Sequence, residues 1–165
     1  MILNNKIIAK LIANVLGDMY RFNFKEDSSV QRAFDKSRYS ENDLDRLEAV
    51  NLLYHSFGVV NKMIEIIPAT YNIFRDYFIL AALAHDSGKS RALREEYAVS
   101  DENGHHKSSA DYLILRYGKI RGGFPKEELD LLQVVCDAIR VQHDADNIEN
   151  KIIVSSLKFI RTYIS

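Results

Sequence analysis

The stretch YFILAALAHDSGK, residues 77–89, decides how this chain reads. Its first eight residues are apolar on nearly every face of a helix, the mark of a helix buried in the middle of an all-helical domain. The run then stops on two ionisable residues, His85 and Asp86, and Ser87–Gly88 supplies a helix stop. A helix end reaching solvent would explain the pair simply. A metal site would explain it sharply, and the other histidines decide between the two.

Outward from that segment the apolar spacing stays helical. Upstream, Leu44, Leu47, Val50, Leu53, Phe57, Val60, Met63, Ile64 and Ile67 recur at steps of three and four. They predict one long helix, N-capped by Ser40 and ended by Pro68. Ile7, Ile8, Leu11, Ile12, Val15 and Leu16 predict a first helix, weakened at Gly17 and Asp18. Residues 21–40 read as a loop with a short helix at 28–36. Downstream, a short helix over 89–98 is followed by a turn at Gly104. A helix opening at His105 carries Ala110, Leu113, Ile114 and Tyr117. Pro125 suits the first turn of a helix whose inner face is Leu129, Leu132, Val135, Cys136 and Ile139. A last helix is predicted over 146–162. The fold class is therefore all-α: one compact bundle of six or seven helices, with residues 1–165 as a single domain.

The bulk numbers fit. The chain has 165 residues, 47% hydrophobic and 27% charged, an ordinary soluble balance. Its 22 Lys plus Arg against 23 Asp plus Glu give a net charge of −1, which disfavours a broad nucleic-acid surface. Cys136 is the only cysteine, so a disulfide framework and a cysteine zinc cluster are excluded and a buried, inert thiol is expected. No apolar stretch has the length of a membrane span. A cytoplasmic protein is the expectation. The apolar helices would serve a homodimer as well as a monomer's core.

Five histidines occur, His55, His85, His105, His106 and His143. At least three occupy positions where helices carry or flank core residues, so several imidazoles can converge with Asp86 on one spot. Neutral imidazole and carboxylate form a mixed nitrogen–oxygen shell suited to a transition metal. His85 and Asp86 lie about 100° apart around a helix. They can present to one ion only near the helix end, or Asp86 can bridge two.

With these residues in view, His85–Asp86–Ser87–Gly88–Lys89 resembles the signature of the HD superfamily of metal-dependent phosphohydrolases. The resemblance is clearest over residues 44–143. It implies an HD-like helical fold and one or two divalent ions, with His55, His85, Asp86, His105 and His143 as ligands. His106 competes with His105 for its place. Asp86 and Lys89 become the catalytic residues, Lys89 stabilising charge on phosphate. The frame YHSFGVV around His55 resembles members active on nucleotides, so a nucleotide or dinucleotide is the expected substrate and hydrolysis of a phosphate ester or anhydride the expected reaction. The histidine-rich shell suits manganese, iron, zinc, cobalt or nickel. Iron would also admit a minority oxygenase reading.

One departure stands out. The family's last aspartate normally lies in the final helix, where this chain reads IIVSSLKFI, and Ser155 and Ser156 cannot replace a carboxylate. Gln142, Asp144 and Asp146 are candidates to join the site in its stead. The departure keeps two alternatives open: a metal-binding regulatory or interaction protein without catalysis, and a small HD-type nuclease.

Overall fold

The computed structural model describes residues 5–30, 40–67, 74–119 and 126–142, without the side chains of 126–128. These residues form seven α-helices and one 3₁₀ turn, with no strand among them. The helices are α1 Lys6–Arg21, α2 Glu41–Glu48, α3 Leu52–Ile66, α4 Arg75–Ala84, α5 Arg91–Tyr97, α6 His105–Gly118 and α7 Lys126–Arg140; the 3₁₀ turn is Ser87–Lys89. The all-α expectation is met. Residues 31–36 of the predicted short helix and the whole of the predicted last helix lie outside the described residues.

Helix α4 is central because it has no face fit for water. Every residue from Asp76 to Ala84 is buried, and α1, α3, α6 and α7 all pack against it. At about 1.5–3 kcal/mol for each large aliphatic or aromatic side chain taken out of water, Phe78, Ile79, Leu80 and Leu83 anchor the bundle. Its first turn also fixes α1: the Asp76 carboxylate accepts the Asn5 backbone N–H at 2.6 Å. Asn5 in turn caps α1, its Oδ1 accepting from the N–H groups of Ile7 and Ile8 at 3.0 Å.

Three sequence expectations are corrected. The predicted long helix from Ser40 to Ile67 is two helices, broken at Ala49–Asn51. There the backbone pairs with an extended strap from residues 27–29: Ser29 N–H donates to Val50 O at 3.0 Å and Leu52 N–H to Asp27 O at 2.8 Å. Asn51 then caps α3, its Oδ1 accepting from Tyr54 N–H at 2.9 Å. The apolar spacing ran through the break because Leu44 on α2 and Leu52 and Leu53 on α3 are all buried. Leu129, assigned to the inner face of α7, is 43% exposed, while Leu132, Val135, Cys136 and Ile139 are buried as expected.

Asp18, read as weakening α1, instead sits buried in that helix and ties three helices together. Its Oδ2 accepts from the Tyr97 and Tyr112 hydroxyls, each at 2.9 Å, and ion-pairs with Arg116 Nε at 2.7 Å. Burial, and the Asp18 charge beside it, push the Tyr97 phenol up to about 12. Tyr97→Phe is expected to cost about 1.5 kcal/mol, the worth of a hydrogen bond to a charged acceptor, measured by urea unfolding. The raised pKa gives Tyr97 a contribution to stability that is whole below about pH 10 and is lost as pH climbs through its folded value. The Phe variant should therefore lose less stability than the parent between pH 10 and 12.

Cys136 is fully buried on α7, and burial pushes its thiol up to about 12. It stays protonated at neutral pH and shielded from solvent. A thiol reagent at pH 8 should leave the folded protein unlabelled and modify one thiol per chain in denaturant. Rapid labelling of the folded protein would contradict this placement.

Candidate metal centre

The centre is built where α4 ends. His85 keeps its N–H on Ala81 O at 3.0 Å, but Asp86 leaves the helix at φ −112°, ψ 6°. This unwinding turns two adjacent side chains, about 100° apart on a helix, toward one place. Lys89 N–H donates to Asp86 O at 2.9 Å, and the tight turn folds the Lys89 side chain back over Asp86. Arg94 braces the same turn, its Nη1 donating to the carbonyls of Gly88 and Lys89 at 2.6 and 3.1 Å. Asp101 holds the Arg94 guanidinium from the other side at 2.8 Å.

Gly88 decides how close α6 comes. A Cβ there would stand 2.2 Å from His105 O and 2.8 Å from Ser109 N. Without one, Gly88 N–H donates to Ser109 Oγ at 2.8 Å, and that hydroxyl donates to His105 O at 2.8 Å. The first turn of α6 thus lies directly on the 3₁₀ turn and carries His105 to Asp86.

Around the Asp86 carboxylate the geometry is two-sided. Oδ2 faces His55 Nε2 at 3.3 Å, His85 Nε2 at 3.4 Å and Lys89 Nζ at 2.7 Å. Oδ1 faces His105 Nε2 at 3.2 Å. His55, His85 and Asp86 each offer a ligand atom, and the three atoms lie within 4.8 Å of one another. His105 stands outside that triad and on the other oxygen. His55 reaches the site from the first turn of α3, because the break at 49–51 starts a new helix just before it.

Burial opposes the charge on Asp86, but His85, Lys89, His105 and His55 more than offset it and hold the carboxyl well below its ordinary range. Burial pushes His55 the other way, toward the neutral ring, with the charges of His85 and Lys89 adding to the effect against the pull of Asp86. A neutral imidazole is the form that ligates metal.

The donor set fits a transition metal. His85 Nδ1 lies 2.8 Å from Ala82 O. A carbonyl only accepts, so Nδ1 carries the proton, and in the neutral ring Nε2 turns a lone pair toward a carboxylate oxygen. A cation shared between them satisfies both, and a backbone acceptor behind a metal-ligating imidazole is the usual support. Ligand atoms about 2.1 Å from one ion stand about 3.4 Å apart at tetrahedral angles and about 3.0 Å apart at octahedral ones. The two separations from Asp86 Oδ2, 3.3 and 3.4 Å, fall in the range that a shared cation requires, and the two imidazole ligand atoms lie within 4.8 Å of each other.

Of the residues singled out in the sequence, the structure brings His55, His85, Asp86, Lys89 and His105 together. Between His105 and His106, it is His105 whose Nε2 reaches Asp86, while the His106 ring stands edge-on to it at 5.8 Å. His143, Asp144 and Asp146 lie outside the described residues, as do Ser155 and Ser156. Gln142 is buried, and its Nε2 donates to His85 O at 3.1 Å, so α7 also pins the end of α4. Ser29 was not foreseen: its carbonyl accepts from Lys89 Nζ. A backbone carbonyl leaves no mark in a sequence. Ser109 was legible only as a small residue on a helix.

No helix among the described residues is long and apolar enough to cross a membrane. No family model matches this chain, and comparison with curated proteins and with solved structures finds no similar protein.

Proposed function

We propose that this chain is a metal-dependent phosphohydrolase of the HD type, acting on a phosphate ester or anhydride of a nucleotide. The observation that carries the reading is the two-sided Asp86 carboxylate, with His55 and His85 on one oxygen and His105 on the other. That arrangement supports one ion held by His55, His85 and Asp86, with Asp86 able to bridge to a second beside His105. A bound divalent ion supplies Lewis acidity toward a phosphoryl oxygen and makes a nearby water more acidic.

The chain's own residues supply the rest. Asp86 brings the negative charge that holds the cation. Ala82 O fixes the His85 tautomer. Lys89 brings an ammonium within reach of a phosphate drawn to the same place. A groove of about 440 Å³ lies between the strap and α5, lined among others by Phe22, Asn23, Asp27 and Arg91. Its described lining contains none of the metal-centre residues, and the nucleotide reading rests on the YHSFGVV frame around His55. Among the aromatics of the α1 end, Phe24 is core and Phe22 leans edge-on against Tyr97.

A second reading, a metal-binding protein without catalysis, is favoured by one feature: Asp86 is the only carboxylate in the triad. The protein purified and loaded with manganese, iron or cobalt should hydrolyse at least one member of a panel of nucleoside mono-, di- and triphosphates and dinucleotides. Stoichiometric metal with no turnover across monoesters, diesters and anhydrides would replace hydrolysis with the second reading.

A further inference from the structure

Lys89 can meet a phosphate, yet it holds the same oxygen an ion would need. Its Nζ lies 2.7 Å from Asp86 Oδ2, the atom that faces His55 and His85. We propose that Lys89 is the resident counter-ion of this centre, displaced when a divalent ion binds, so that it lowers the metal affinity and makes it depend on phosphate. The proposal rests on the metal reading above.

An ion about 2.1 Å from Oδ2 and an ammonium 2.7 Å from the same oxygen stand no more than about 5 Å apart. Both are positive and both are shielded from water, so they repel strongly. One carboxylate charge cannot satisfy both. The Lys89 side chain is 7% exposed and its ion pair is with Asp86, so the displaced ammonium has little water to turn to.

The second anchor of Lys89 makes a shift feasible without unfolding. Its Nζ also donates to Ser29 O. Ser29 is itself fixed, by its N–H on Val50 O at 3.0 Å and its hydroxyl on Leu47 O at 3.0 Å. The ammonium can pivot on that carbonyl and leave Asp86, the one carboxylate it pairs with among the described residues. A phosphate group beside the ion would supply an anion in its place. Phosphate and metal must then favour each other's binding, and by linkage the coupling is reciprocal.

Calorimetric titration of the full chain with Mn²⁺, with and without inorganic phosphate, tests this on the parent, Lys89→Met and Lys89→Gln. Without phosphate, both variants should bind Mn²⁺ about tenfold or more tightly than the parent. Phosphate should tighten Mn²⁺ binding in the parent by a larger factor than in either variant. Lys89→Arg, which keeps the charge, should stay near the parent. Equal or weaker Mn²⁺ binding by both neutral variants, or equal phosphate coupling in all four proteins, would overturn the proposal. If neither the parent nor any variant binds Mn²⁺, the metal reading itself fails, a result distinct from unaltered affinity. Should Met at this position prevent folding, the Gln variant carries the test alone.

Discussion

Asp86→Asn is expected to abolish divalent-ion binding and, with it, the proposed hydrolysis. Asn keeps the shape of the side chain but not the charge. Three imidazole nitrogens and an ammonium face the Asp86 carboxylate, all between 2.7 and 3.4 Å from it. No other carboxylate belongs to the triad. Losing a residue that only orients a ligand costs about 10–100-fold in metal affinity or activity. Losing the one anionic ligand should cost more than about 100-fold in both. The core of α4 lies on the other side of this residue, so far-UV circular dichroism of the variant should match the parent. Undiminished metal content and turnover would exclude Asp86 from the site.

Gly88→Ala is expected to be the most destabilising single-methyl change near the centre. The added carbon would stand 2.2 Å from His105 O, 2.7 Å from Ser108 Cβ and 2.8 Å from Ser109 N. Two of these are backbone atoms of a helix and cannot rotate away. The first turn of α6 must back off, and the Gly88–Ser109–His105 hydrogen bonds part with it. Overpacking costs about 1–3 kcal/mol where side chains can adjust. Here the backbone must move and buried polar groups lose partners, so about 3–5 kcal/mol is expected. At about 2–4 °C per kcal/mol for a chain of this size, the melting temperature should fall by roughly 6–20 °C. The shift would also draw His105 from Asp86 Oδ1, so metal stabilisation of the melting temperature should shrink in the variant. An unchanged melting temperature would mean that the 3₁₀ turn and α6 do not meet as described.

The sequence was most informative where one side chain carries its own chemistry. A helix apolar all round, ending in His85–Asp86, located both the middle of the bundle and the candidate cation site. His55 could be named because an imidazole among core residues is conspicuous. The break between α2 and α3 was hidden because both helices bury apolar residues in one continuous rhythm, and backbone pairing to residues 27–29 interrupts them. Asp18 misled for a related reason. An acid after glycine reads as a weak helix end, and nothing local reveals the tyrosines at 97 and 112 that complete it. The grip of Ser29 O on Lys89 and the contact of Gly88 with α6 were equally hidden, one made by a carbonyl and the other by a missing side chain.

His55, His85 and Asp86 are proposed to hold one cation between them. Anomalous diffraction from crystals grown with Mn²⁺, recorded on either side of its absorption edge, tests this most directly. A peak is expected about 2.0–2.3 Å from His55 Nε2, His85 Nε2 and Asp86 Oδ2, with the Lys89 ammonium shifted off that oxygen. No peak among those three atoms, with Lys89 still on Asp86 and the imidazoles satisfied by protein or water, would contradict it.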